Sequence, residues 1–151
     1  MNKQKITCPN CENSGKLVNN ATVKAMIAVS LRRVHDEDHY FCSTETCDVV
    51  YFNASQTEVF KVSEVRERVY QKEQRSQDVL VCYCFQHTVG DVRTEVEADD
   101  DTFIVDNINA GIKAGQCACD WRNPQGTCCL GTVLELRKMV TNHSDSTIKK
   151  N

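Results

Sequence analysis

Apolar residues recur at helical spacing through Val23, Met26, Ile27 and Leu31, behind Asn20 and Thr22 as candidate N-caps. The pattern then changes. His39-Tyr40-Phe41 and Val49-Val50-Tyr51-Phe52-Asn53 are aromatic and β-branched runs, which predict strands. Glu58-Val59-Phe60 predicts a third strand, and Ser63 opens a short amphipathic stretch with Val65 and Val69 on one side. Gln71 to Asp78 is polar and charged throughout and reads as a solvated linker. Beyond Val79-Leu80-Val81, Thr88 caps a predicted helix through Val89, Val92 and Val96, and Asp99-Asp100-Asp101 makes a turn. A second helix follows through Phe103, Ile104, Ile108 and Ile112, closed by Gly115 as its C′ residue. Cys117 to Cys129 reads as a loop around the turn sequence Asn123-Pro124-Gln125-Gly126. A last helix runs from Leu130 to Val140 with Val133, Leu134 and Leu136, and the polar tail from Thr141 to Asn151 is expected to fray.

Composition changes this picture at one point. Among 151 residues there are ten cysteines, against only six glycines and two prolines. A net charge of -3 gives no reason to propose a nucleic-acid partner. Met1 to Ile6 is polar and carries no secretory signal, and no apolar run approaches the roughly 20 residues that cross a bilayer. A cytoplasmic chain without membrane insertion is expected, and in that reducing setting clustered cysteines bind metal more often than they form disulfides.

Cys8-Pro9-Asn10-Cys11 has the two-residue spacing that turns both thiolates toward one ion. Cys42 and Cys47 bracket a short polar segment between two predicted strands and supply a second pair. Two such pairs predict a tetrahedral Cys₄ zinc site with no open position, hence a structural one. Iron in a rubredoxin-like site is the competitor, because S₄ tetrahedra suit both metals. Cys82-Tyr83-Cys84 is too tightly spaced for a zinc-ribbon tetrahedron and is compatible with ligation of one iron of a cluster. Cys117, Cys119, Cys128 and Cys129 follow, so six thiols stand where a [2Fe–2S] cluster needs four.

The order of these motifs carries a resemblance. Cys82-Tyr83-Cys84-Phe85, a helix pair and cysteines just before a last helix resemble the bacterioferritin-associated ferredoxin type of [2Fe–2S] domain. The series CPNC, FCSTETCDVVYFN, VCYCF and CACDWRNPQGTCCLG, from Cys8 to about Leu136, resembles the N-terminal region of CopZ-type copper metallochaperones. That resemblance implies an α+β protein: a small zinc-ribbon-like unit over residues 1–72, a mostly helical [2Fe–2S] domain over 79–140, and a flexible tail over 141–151. It implies zinc on Cys8, Cys11, Cys42 and Cys47, and a [2Fe–2S] cluster on Cys82, Cys84, Cys119 and Cys129. Cys129 is chosen because it meets the last helix. Cys128 is the alternative, and Cys117 is an extra thiol.

Tyr83, Phe85 and Trp121 lie near ligands in sequence and read either as shields of the cluster or as plain core. His35, His39, His87 and His143 show no ligand spacing and read as packing or surface residues. Nothing resembles a nucleotide loop, a nucleophile triad or an open metal site, so an enzyme is not expected. The expectation is an iron–sulfur metallochaperone that reduces or transfers copper, Cu(II) or Cu(I), and meets a metal-transport or redox partner protein. The spare thiols Cys117 and Cys128 could hold copper transiently. The alternatives are a simple electron-transfer ferredoxin docking through the acidic segment Glu95–Asp101, or a sensor of iron or oxidant. Full CopZ-type chaperones add a heavy-metal domain with its own Cys-x-x-Cys loop. No such segment lies within these 151 residues, which argues against direct delivery to a pump.

Overall fold

A computed structural model of the chain describes residues 6–98 and 103–150. It is an α+β protein with two cores. The first is built on a four-stranded antiparallel sheet of β1 (Lys16–Val18), β2 (His39–Phe41), β3 (Val49–Asn53) and β4 (Val59–Lys61), in that spatial order. The predicted strands fall on β2, β3 and, shifted by a residue, β4. β3 is buried at every position because one side meets an apolar core and the other meets the cysteines. Val18, Val23, Met26, Ile27, Phe41, Tyr51 and Phe60 fill the apolar core, and Val49 and Phe52 pack with Cys8, Cys42 and Cys47. Gly15 approaches the Phe52 ring so closely that a Cβ there would lie 2.4 Å from it.

The first helix differs from its prediction. α1 spans Asn20–Met26 and is capped by Asn19, whose side chain accepts from the Ala21 amide at 2.8 Å. Asn20 and Thr22, the expected caps, serve other ends: Asn20 holds His39 Nδ1 at 2.9 Å, and the Thr22 hydroxyl donates to the Asp120 carbonyl at 2.7 Å. The helix stops at Met26 because Ile27 turns extended and forms an antiparallel bridge with Val65. Leu31 therefore lies outside the helix, in a 3₁₀ turn that leaves it exposed. Sequence periodicity could not register a competing long-range bridge.

The second core joins β5 (Leu80–Cys82), β6 (His87–Thr88), α2 (Val89–Glu97), α3 (Phe103–Lys113), a short α4 (Cys119–Arg122) and α5 (Leu130–Lys150). Thr88 caps α2 in a reciprocal box with Asp91, both bonds at 3.0 Å. Val79, Val81, Val89, Val92, Ile104, Ile108, Val133, Leu136 and Val140 make the core. Gly115 ends α3 with φ 72°, as its C′ position requires. The predicted turn at Asp99–Asp101 lies outside the described residues. Glu95 is not part of an acidic docking face: it is buried, ion-pairs with Arg137 and accepts from the Ile104 amide. α5 continues past the predicted stop at Val140 to Lys150, through a stretch with no glycine or proline to break it. Leu134, on its outer side, is about half exposed.

The two cores interlock. The polar segment after Val69 is docked rather than solvated: Tyr70 is buried in the second core, Gln71 bonds Gln125, and the Lys72 ammonium donates to the Thr44 carbonyl at 2.8 Å. The Tyr51 hydroxyl, buried in the first core, donates to the Pro124 carbonyl. Gly126, with φ 75°, closes the Asn-Pro-Gln-Gly turn against Val18 and Thr22, leaving no room for a side chain. Tyr83 is a buried tie rather than a ligand shield alone, since its hydroxyl donates to the Arg68 carbonyl and accepts from the Tyr70 amide.

Candidate metal centres

The first centre starts from two tight turns. Cys8 and Cys11 sit in a small loop closed by the Thr7–Ser14 bridge, where the Cys8 amide donates to the Asn13 carbonyl and Glu12 takes φ 65°. Cys42 and Cys47 stand on the β2–β3 connection, tied by the Cys42 amide to the Val50 carbonyl and the Cys47 amide to the Thr44 carbonyl. Strand pairing brings the turns together until all four sulfurs lie within 4.8 Å of one another. Cys8 and Cys47 Sγ are 3.9 Å apart, and Cys11 and Cys42 Sγ are 3.6 Å apart. A tetrahedral zinc with bonds of about 2.3 Å separates its sulfurs by roughly 3.8 Å, so the donor set fits the ion.

Electrostatics point the same way. Burial pushes the Cys8 thiol up to about 12 and raises Cys42 as well. Burial also acts upward on Cys11, but hydrogen bonds from Thr44, Asn13 and the neighbouring cysteines outweigh it and draw that thiol down to about 6. Four crowded thiols cannot all ionise without a cation among them. Supporting donors surround them: the Asn10 amide to Cys8 Sγ at 3.4 Å, the Asn10 side chain to Cys47 Sγ at 3.2 Å, and Lys72 Nζ to Cys42 Sγ at 3.6 Å. Asn10 was visible inside its motif. Lys72 was not, because it arrives from thirty residues beyond Cys42.

The second centre draws on three segments. Cys82 and Cys84 end β5 and begin the following turn, Cys117 and Cys119 flank the start of α4, and Cys128 and Cys129 precede α5. Cys84 and Cys119 Sγ are 3.5 Å apart, Cys117 and Cys119 Sγ are also 3.5 Å apart, and these three sulfurs lie within 4.8 Å of one another. Cys82 and Cys129 lie outside this three-sulfur group but are buried with Cys119 in the same core. Cys82, Cys119 and Cys129 are buried, Cys84 and Cys117 are half-buried, and Cys128 is exposed. Cys128 is thus the one thiol that the packing turns outward, its sulfur accepting from the Leu130 amide at 3.5 Å.

Charge is again distributed unevenly. Cys119 is drawn down to about 5, first by Cys129 and then by Cys117 and Cys84, with burial opposing. Cys129 is pushed far up by the neighbouring Cys119 and Cys82 thiols and by burial, while Cys84 rises to about 12, chiefly by burial. The Ala118 amide donates to Cys84 Sγ at 3.2 Å. Phe85 packs under Gly111, where a Cβ would meet its ring at 2.2 Å. Trp121, expected as shield or core, is not core: it is 60% exposed and lines an open cleft with Cys117, Cys119 and Cys128. His39 and His87 are packing residues, held by Asn20 and Asn107.

Known proteins share the fold of most of this chain. Residues 5–66 match the CopZ family described as a zinc binding domain. The crystal structure of the Archaeoglobus fulgidus CopZ N-terminal domain superposes with a TM-score of 0.71 at 35% identity, covering 86% of this chain and 96% of that one. The chain belongs to the family of the CopZ N-terminal domain. It is also 38% identical over 124 residues to the curated Copper chaperone CopZ of A. fulgidus, covering 82% of this chain. The chain spans 58% of that relative's length. The zinc-binding match covers all four cysteines of the first centre, and no helix among the described residues is long and apolar enough to cross a membrane.

Proposed function

We propose that this chain holds two resident centres and serves copper homeostasis as a non-enzymatic, one-electron partner of copper. Zinc sits on Cys8, Cys11, Cys42 and Cys47 and fixes the first core. A [2Fe–2S] cluster sits on Cys82, Cys84, Cys119 and Cys129. The observation that carries this reading is the gathering of thiols from three segments in the helical core, with Cys82, Cys119 and Cys129 buried in it, Cys84 packed against it, and Cys84 Sγ 3.5 Å from Cys119 Sγ. Cys129 is preferred over Cys128 because it is buried in the same core as Cys82 and Cys119, whereas Cys128 faces solvent.

When bound, the cluster supplies a one-electron couple. The chain's own part is to exclude water with Val81 and Val133, to orient Cys84 through the Ala118 amide, and to hold the loop in place through Tyr51 and Thr22. Thiol-rich centres suit a reducing cytoplasm. Copper enters because thiolates select Cu(I), and because the A. fulgidus relative is a copper chaperone.

The test is electron balance. Reduced protein, freed of excess reductant and mixed anaerobically with one equivalent of Cu(II), should yield one Cu(I) per chain, read with a Cu(I)-specific chelator, and regain its oxidised spectrum. A reduced spectrum that persists with no Cu(I) formed would leave a simple electron carrier instead.

A further inference from the structure

The chain passes from one core to the other between two adjacent residues. Val69 is buried in the first core and Tyr70 in the second. The Tyr83 hydroxyl grips this crossing from the second core, donating to the Arg68 carbonyl at 2.6 Å and accepting from the Tyr70 amide at 3.0 Å. Tyr83 is also the residue between Cys82 and Cys84. We propose that the 3₁₀ turn Tyr70–Lys72 couples the two centres, so that an occupied zinc set steadies the second thiol set and the reverse.

Three observations support it. Lys72, last in the turn, reaches the first set: its ammonium donates to the Thr44 carbonyl at 2.8 Å and lies 3.6 Å from Cys42 Sγ. The Thr44 hydroxyl is in turn 3.3 Å from Cys11 Sγ, so the turn meets both halves of the zinc set. Between its two grips the turn is stiff, with the Lys72 amide on the Val69 carbonyl and the Glu73 amide on the Tyr70 carbonyl, both at 2.9 Å. Finally, the Gln71 side chain, in the middle, donates to Gln125 Oε1 at 2.7 Å. Gln125 belongs to the loop that leads into Cys128 and Cys129. Each residue of the turn therefore holds a centre or its supporting loop.

Charge gives the coupling its sign. Four thiolates on one Zn²⁺ leave about two net negative charges, and the Lys72 ammonium lies against one of those sulfurs. Lys72 is half-buried, so solvent and salt screen this attraction only in part. The ion fixes both the sulfurs and their charge opposite Lys72, which favours the docked turn in the loaded state. By reciprocity, a firmly docked turn holds the zinc set closed. Docked and released turn are the two states that both centres bias. The inference rests on the two-centre reading above.

The experiment compares metal release from the metal-loaded full chain, well below its melting temperature, in the parent, Lys72→Met, Tyr83→Phe and the pair combined. Zinc loss is read with a chromogenic chelator, and the second centre by its visible absorption. Tyr83→Phe alters no residue of the zinc set, yet it should speed zinc release by about fivefold or more, the factor carried by about 1 kcal/mol. Lys72→Met alters none of the second set, yet it should speed loss of visible absorption by a similar factor. Combined, the two should do no more than the larger single effect, because both release the same turn. Gly111→Ala, which loosens the second centre through Phe85 rather than through the turn, should leave zinc release at the parent's rate. Unchanged zinc release in Tyr83→Phe would overturn the coupling. So would equal acceleration in Gly111→Ala, which would mark a general loosening. A parent that holds zinc without iron or sulfide strikes the two-centre reading instead, and the zinc-release comparison of Tyr83→Phe with Gly111→Ala still decides whether the turn transmits.

Discussion

The two thiol sets are built on opposite principles. In the zinc set each pair of ligands belongs to one tight turn, and a sheet brings the two turns together. In the second set the thiols come from a strand end, a helix start and the residues before another helix, and two of the six are adjacent in the chain. Local turn geometry therefore pairs the thiols of the first set, and tertiary packing gathers those of the second. The contrast also predicts where each centre fails: the first with its turns, the second with the docking of its loop on the neighbouring core.

The largest effect is expected from Cys42→Ala. Structural zinc contributes about 10–16 kcal/mol in small zinc-dependent folds, and even half of that would lower the melting temperature of a chain this size by more than about 10 °C. Zinc should be absent by elemental analysis. Because Tyr51, Thr22 and Gly126 lock the cores together, circular dichroism and visible absorption of the parent should melt in one transition. Two separate transitions would show independent units and break the contrast as drawn.

A matched pair of substitutions sharpens it. Gly15→Ala drives a methyl into Phe52 beside the zinc turns, and Gly111→Ala drives one into Phe85 beside the second centre. Overpacking of this kind costs about 1–3 kcal/mol, reduced at Gly111 by the roughly 1 kcal/mol that alanine gains in a helix. Chelator-driven zinc release should accelerate in the first variant only, and loss of visible absorption in the second only.

Tyr51→Phe removes one hydroxyl and leaves the Pro124 carbonyl without its donor. A cost of about 1–2 kcal/mol is expected by chemical denaturation, with faster bleaching of the second centre than of the zinc site. Equal rates would mean that the loop does not depend on this contact.

The smallest effect concerns pH. Arg33, with the Lys61 amide adding, holds the Glu64 carboxyl below its usual range. A depressed carboxylate stabilises the fold above its unfolded pKa and loses that contribution as pH falls through its folded value. The stability difference between parent and Glu64→Gln should be at most about 1 kcal/mol at neutral pH and vanish in acid. A difference that grows on acidification would reverse the assignment.

Much of the chain was legible before its structure. Strand runs at His39–Phe41 and Val49–Asn53, the Thr88 cap and the Gly115 stop depend on neighbouring residues, and such signals survive folding. What was not legible depends on distant partners. Ile27 leaves its helix to meet Val65, Lys72 leaves a polar run to reach Cys42, and Trp121 faces outward because the loop around it is fixed by Tyr51 and Thr22 instead. The outward turn of Cys128 beside the buried Cys129 belongs to the same class, since adjacent thiols cannot be ranked without the core they face.

Metal and sulfide analysis of anaerobically purified protein, with EPR after reduction, tests the two-centre account most directly. It predicts about one zinc, two irons and two acid-labile sulfides per chain, with an EPR signal integrating to about one spin. Protein that binds zinc alone and stays colourless and EPR-silent after attempted reconstitution would contradict it.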